Sequence, residues 1–257
     1  MEKPEQTATR TSLGARLFNV FATPSEVFEE VRQSPPCNAN WVVPALIAVV
    51  VGWLATTLIF SQEAIRHQLT EMTEQAIEKQ IARTKPSEQQ AEQMRTASVK
   101  IAGLGQKIGA YAMAPIMAFA SPFIWGSFLW LAGNKALRGQ FTYMQAVEVV
   151  GLGNMVGVLD SIIKTLLIVS MGSLFASTSL VLMVKEYSPE NPVHNLLAMV
   201  NIMTFWLLGV RSAGLARLSG ASFLKSAAWV FGIWATYTGA LFGFGMAMQA
   251  VFSRMSG

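Results

Sequence analysis

Trp41-Val42-Val43-Pro44-Ala45-Leu46-Ile47-Ala48-Val49-Val50-Val51-Gly52-Trp53-Leu54-Ala55-Thr56-Thr57-Leu58-Ile59-Phe60 is 20 consecutive residues without a charge. About 20 apolar residues in an α-helix, rising 1.5 Å each, cross the roughly 30 Å hydrocarbon core of a bilayer. Such a helix is apolar on every side, so it needs either lipid or a large protein core around it. Three more blocks decide between the two. Ile108 to Asn134 is 27 residues without a charge, and Ala227 to Ser253 is another 27. Val193 to Val210 is 18, with His194 as its one titratable group. The 257 residues are 52% hydrophobic and 13% charged, about half the charged fraction of a soluble domain. The sequence predicts an all-α, polytopic transmembrane helical bundle.

Working outward gives the organisation. Residues 1–12 are polar and read as a disordered tail. Residues 13–40 read as amphipathic interfacial helices. Residues 41–253 read as the transmembrane domain, with spans at about 41–60, 108–132, 144–170, 194–210 and 227–250. Between the first two spans, residues 61–106 carry six Lys or Arg, six acidic residues and His67. Ile65, Leu69, Met72 and Ala76, then Met94, Ala97 and Ile101, recur at helical spacing on either side of Pro86. That pattern predicts an extramembrane helical hairpin with solvated faces. The 42 residues Tyr143 to Val184 read either as one long span plus a surface helix or as two spans joined near Lys164.

Charge placement separates five crossings from six. With five, residues 1–40 and the loops 133–142 and 211–226 share one side and hold four, two and three Lys or Arg. Short loops rich in Lys and Arg stay in the cytoplasm. Six crossings would export Arg211, Arg217 and Lys225 in a short loop. The expectation is five spans, with the N-terminus in the cytoplasm and the C-terminus outside. No cleavable leader is expected, because 40 mostly polar residues precede the first apolar block.

In the N-terminal region, Leu13, Leu17, Phe18 and Phe21 share a helical face. Thr23-Pro24-Ser25-Glu26 has the spacing of a capping box, with proline at the first helical position. Val27, Phe28 and Val31 form the apolar face of the helix that follows. Both helices are expected to lie on the membrane with Phe18, Phe21 and Phe28 inserted, or to pack on the ends of the spans.

No motif for catalysis, metal or cofactor is present. There is no HExxH, no GxSxG and no phosphate-binding loop, and the one cysteine, Cys37, excludes an internal disulfide. The net charge of +4 comes without a basic stripe, so no nucleic-acid partner is expected. Gly153 and Gly157, and Gly239 and Gly243, have the small-xxx-small spacing of close helix packing in bilayers. Asp160 and Lys164 are four apart inside an apolar block, on one helix face. Charge at that depth costs several kcal/mol without a partner or water. They are the candidate intramembrane polar pair: a structural ion pair, or part of a polar path.

Phe21-Ala22-Thr23-Pro24-Ser25-Glu26-Val27-Phe28 resembles the F-x-x-P-x-x-x-F entry of bacterial members of the Yip (Ypt/Rab-interacting protein) domain family. The likeness continues in Trp41 and Pro44, in Gly139-Gln140-Phe141-Thr142, and in Ser188-Pro189-Glu190-Asn191-Pro192. It ends with Trp206-Leu207-Leu208-Gly209 and the stretch from Lys225 to Trp234. The resemblance implies five spans, a cytoplasmic N-terminus, a bacterial inner (cytoplasmic) membrane location and no catalytic residues. The long 61–106 insert departs from compact eukaryotic members, which are linked to small GTPases and membrane shaping.

The functional expectation is a non-enzymatic membrane protein that organises partner proteins or lipids, with membrane lipids, other membrane proteins or a second copy as partners. The alternative is a transporter or channel for an ion, small solute or lipid, using a polar path near Asp160 and Lys164. The topology has a direct test. Single cysteines in 61–106 should react with an impermeant thiol reagent added outside, and those in 133–142 and 211–226 should be protected. Labelling of 211–226 from outside rejects the five-span order.

Overall fold

The structure is a computed structural model that describes residues 11–184, 187–188 and 191–255. The tail expected over residues 1–12 therefore falls largely outside the described residues, as do Lys185 and the Pro189-Glu190 part of the resemblance. Nine α-helices and no β-strand occur among the described residues. They are α1 (Leu13–Ala22), α2 (Pro24–Gln33), α3 (Ala39–Ser61), α4 (Glu63–Thr84), α5 (Glu88–Leu131), α6 (Tyr143–Met171), α7 (Pro192–Met199), α8 (Ile202–Ser219) and α9 (Phe223–Met255). By length and composition, α3, α5, α6 and α9 can each cross a membrane.

One open reading is resolved and one changes. The ambiguous stretch 143–184 is one helix, α6, followed by irregular chain and a short 3-10 turn at Leu180–Met183. The span expected over 194–210 is two helices, α7 and α8, interrupted at Val200–Asn201. The insert 61–106 forms the expected hairpin, but its second arm and the next span are one 44-residue helix, α5. Lys85, at φ 44°, takes the left-handed conformation that turns the chain between α4 and α5.

The contacts divide the chain into two compact units. The first comprises the chain up to Leu46, Phe119–Val156 and Trp206–Phe231. Its core holds Val27, Phe28 and Val31 of α2 with Val147, Val149 and Leu152 of α6 and Leu208 and Leu215 of α8. Two glycines permit this packing. A Cβ on Gly214 would meet Val149 Cγ1 at 2.2 Å, and one on Gly151 would meet the Trp41 backbone at 2.5 Å. Thr142 and Gln145 cap α6 reciprocally, with Thr142 N–H donating to Gln145 Oε1 (2.9 Å) and Gln145 N–H to Thr142 Oγ1 (3.2 Å). The amide of Gln145 also donates to the carbonyls of Val31 (3.4 Å) and Arg32 (3.1 Å) in the last turn of α2, where a helix leaves carbonyls short of partners.

The second unit comprises Ile47–Ala118, Gly157–Phe205 and the chain from Gly232. Ile65 of α4, Ile168 of α6 and Ala176 form its buried cluster, flanked by Ile59, Leu69, Leu167 and Leu174. Gln68 clips the chain leaving α6, accepting from Leu174 N–H (3.2 Å) and donating to the Gly172 carbonyl (2.6 Å). Within the hairpin, Arg95 holds both oxygens of Glu78, at 2.6 and 3.2 Å, and that bond holds the carboxyl below the usual carboxylate range.

The close approach at Gly151 gives a stability test. Gly151→Leu places a side chain where the Trp41 backbone lies, so it should cost about 1–3 kcal/mol or more, as overpacking does. Gly157→Leu, where nothing lies within 4 Å, should leave the thermal midpoint in detergent near that of the parent. Equal midpoints for the two would show that α3 and α6 do not touch there.

Candidate functional site

In the first unit, Arg16, Glu148 and Arg211 are buried, and the last two do not pair with each other. Glu148 of α6 is 1% exposed. Its Oε1 accepts the Cys37 backbone N–H (2.9 Å) and its Oε2 accepts Asn40 Nδ2–H (2.6 Å). The carboxylate thus satisfies donors at the entrance of α3, where a helix leaves N–H groups unpaired. Trp41, next in the chain, packs edge-on against Phe123 at 4.9 Å between ring centres.

Arg211 of α8 is 4% exposed. Its guanidinium lies 4.3 Å over the Trp125 ring and donates to Asn154 Oδ1 at 2.9 Å. Asn154 in turn donates to Ser121 Oγ at 3.4 Å. The Arg211 Nε is buried without an acceptor. Helices α5, α6 and α8 therefore share one cation, held by a ring face and an amide.

The expected surface phenylalanines separate. Phe18 is 78% exposed, whereas the buried residues of α1 are Arg16 and Val20. Arg16 turns inward because Glu30 of α2 receives its Nε at 3.1 Å. Phe21 is half-buried against Trp206, 5.9 Å between ring centres. Phe28 is 0% exposed and packs toward Gly214, so it cannot insert into a membrane. The glycines also divide. Gly153 lies 3.5 Å, measured from an added Cβ, from Val210, but Gly157, Gly239 and Gly243 face open space. The approaches at Gly151 and Gly214 do the packing that the spacing assigned to those three.

In the second unit, Asp160 and Lys164 form no ion pair; Lys164 is exposed. Asp160 Oδ1 instead lies 2.9 Å from Thr178 Oγ1, which lies 2.9 Å from Asn201 Oδ1. That Asn201 oxygen already accepts the first N–H groups of α8, from Met203 (2.8 Å) and Thr204 (3.3 Å). One hydroxyl hydrogen cannot serve two acceptors at once, so Thr178 alternates between them unless another proton or cation enters. Two backbone bonds stitch this chain to the helix interruption, Leu180 N–H to Val200 O (3.2 Å) and Ile202 N–H to Thr178 O (3.4 Å). Asp160 precedes Leu167 and Ile168 by about two helical turns, roughly 11–12 Å along α6. Those two pack with Ile59 and Ile65, at the passage from α3 to α4. The chain after Met171 therefore doubles back along α6 to reach Asp160.

The sequence reading places Arg211 in a loop, whereas it lies inside α8. The missed signal at the first node is a carboxylate early in an apolar block, combined with Asn40 just before the first span.

Asn40→Leu should strand Glu148 Oε2 and cost about 1–3 kcal/mol, the usual penalty for a buried polar group deprived of its partner. A thermal midpoint in detergent equal to the parent's would show that Glu148 is served by something other than Asn40.

The sequence profile of the Yip1 domain matches residues 18–245. No curated protein and no solved structure matches the chain. The match spans α1 to most of α9, including every element that builds the two units, so this multi-pass membrane protein belongs to the Yip1 domain family.

Proposed function

We propose that the chain is a non-enzymatic organiser of lipids and partner proteins in a bacterial inner membrane. In this reading it crosses five times, with α7 and α8 in series as the fourth crossing, the N-terminus in the cytoplasm and the C-terminus outside. The observation that supports it is the helical pair α1–α2. Its inner face is fixed to the bundle by Phe28 and by the Gln145 bonds to the end of α2. Its outer face presents Phe18. An interfacial helix held this way gives the bundle a fixed ring at the depth of the headgroups, which suits contact with lipids and neighbouring proteins.

A second reading, transport of an ion or small solute, is favoured by one observation. An interrupted helix, a doubled-back chain and a carboxylate meet at Thr178, and broken helices with irregular backbone around polar groups mark the binding sites of many transporters.

Two measurements separate these readings. In a Cys37→Ser background, a fluorophore on residue 18 should be quenched by lipids carrying quenchers at headgroup depth, and the protein copurified in mild detergent should retain a lipid or protein set different from the bulk membrane. An unquenched label together with bulk lipid composition rejects the organiser. For transport, Asp160→Asn with Thr178→Val should fold yet fail to complement a deletion strain. Full complementation by that stable double variant rejects a path at Asp160.

A further inference from the structure

The first unit carries a groove of about 440 Å³ between α2 and α8. Ser25, Glu29 and Arg32 line one wall, at the four- and three-residue spacing of a single face of α2. Ala216, Arg217 and Gly220 line the other. The room comes from the small residues: a Cβ on Gly220 would meet nothing within 4 Å, and its φ of +72° lets the chain turn directly into α9.

The lining carries two guanidinium groups and one carboxylate. Glu29 is already engaged, accepting from Arg32 Nε at 3.0 Å and from Gln33 Nε2 at 2.7 Å. The bond from Arg32 holds its carboxyl below the usual range, with Arg217 adding a weaker pull. Glu29 therefore stays charged at neutral pH, and the groove keeps one surplus positive charge. Arg217 is exposed and, among the described residues, makes no hydrogen bond or ion pair. Ser25 stands in the first turn of α2, whose N-terminus has no side-chain cap. The positive end of that helix dipole adds to the attraction for an anion.

The apolar side of the groove identifies the source of the anion. Phe223 lines it and is half exposed, and the next residue, Leu224, is 78% exposed. Both begin α9, a helix long and apolar enough to cross a membrane. A free phosphate gains nothing from these two side chains. A phospholipid sets its phosphate among the arginines and its acyl chains along Phe223, Leu224 and the start of the span.

We propose that the α2–α8 groove is a binding site for one anionic phospholipid headgroup, with its phosphate held by Arg217 and Arg32. This rests on the organiser reading and names the lipid class that such an organiser would hold. Glu29 is the competing anion within the site. Removing it should strengthen binding, an outcome that loss of folding cannot produce.

The test uses the full-length protein, delipidated in detergent and titrated with short-chain phosphatidylglycerol, phosphatidylcholine or inorganic phosphate, with bound lipid counted by native mass spectrometry. The parent should bind phosphatidylglycerol more tightly than phosphatidylcholine and show no competition by millimolar phosphate. Arg217→Gln should weaken phosphatidylglycerol about fivefold, in line with one basic group at a lipid surface. Glu29→Gln should tighten it by a similar factor. Ala216→Phe, which fills the groove without changing charge, should abolish the preference. Equal binding by the parent, Arg217→Gln and Ala216→Phe overturns the proposal, as does displacement of the lipid by phosphate alone. A failure here, with residue 18 still quenched in vesicles, removes the headgroup site and leaves the organiser reading standing.

Discussion

The first unit depends on a carboxylate placed where few sequences can hold one. Glu148 sits in the second turn of α6, fully enclosed, and its two oxygens each take a donor from the chain entering α3. An enclosed carboxylate with no basic partner survives only if hydrogen bonds replace its hydration. The Cys37 N–H and the Asn40 amide supply those bonds, and in doing so they fix the start of α3 against α6. That fixes the level at which Trp41 meets Gly151, which needs glycine because the backbone of α3 approaches to 2.5 Å of an added Cβ. The same early turns of α6 present Gln145 to the end of α2. Helices α2, α3 and α6 are thus ordered by residues within one turn of Glu148.

The second unit solves a different problem. Chain outside a helix has unpaired N–H and C=O groups, which hydrocarbon does not tolerate. At Val200–Asn201 the interruption is covered in three ways. Asn201 caps α8 with its own side chain, and Leu180 and Thr178 exchange backbone bonds with the residues around it. Thr178 adds its hydroxyl between Asp160 and Asn201. The irregular chain at 172–184 therefore pairs with the irregular chain at 200–202, and each satisfies groups that the other would leave bare. This pairing keeps a discontinuous helix compatible with an apolar environment.

The membrane character and most helix positions were legible in the sequence because they follow from local composition: α3 and α9 extend only a few residues beyond the uncharged blocks, and α6 covers the apolar stretch expected as a span at about 144–170. What composition could not show is which local signal wins when two compete. Thr23-Pro24-Ser25-Glu26 has capping-box spacing, yet Thr23 also ends α1, and its hydroxyl turns back to the Asn19 carbonyl (3.4 Å). The boxes that form are Thr142 with Gln145 and Ser87 with Gln90, at the starts of α6 and α5. The 194–210 block reads as one span because Asn201 stands between apolar runs with no charge nearby, and its capping role appears only with the chain from 178 to 180 beside it. Asp160 and Lys164 have ion-pair spacing, but Thr178, 18 residues later, supplies Asp160 with a partner that spacing on one helix cannot reveal. The glycine spacings do not mark the closest approaches for the same reason: those fall at Gly151, beside the Trp41 backbone, and at Gly214, beside Val149 and Phe28.

Arg211 and Arg217 show how position along one helix assigns opposite roles to the same side chain. Both lie on α8, six residues and roughly 9 Å apart along its axis. Arg211 faces α5 and α6, where no carboxylate waits. It is held instead by the flat face of Trp125 and the oxygen of Asn154, an arrangement that suits a planar, weakly hydrated guanidinium and not a compact ammonium. Glu148, enclosed in the same unit, is likewise satisfied by neutral donors. Glu148 and Arg211 are therefore not each other's partners. Arg217 points the other way, into a groove where its donors are free and the nearest carboxylate is already taken by Arg32. The helix thus carries one arginine enclosed among other helices and one open to a groove. It is the second, lying beside the apolar start of α9, that gives the bundle a chemical reason to prefer one class of lipid over another.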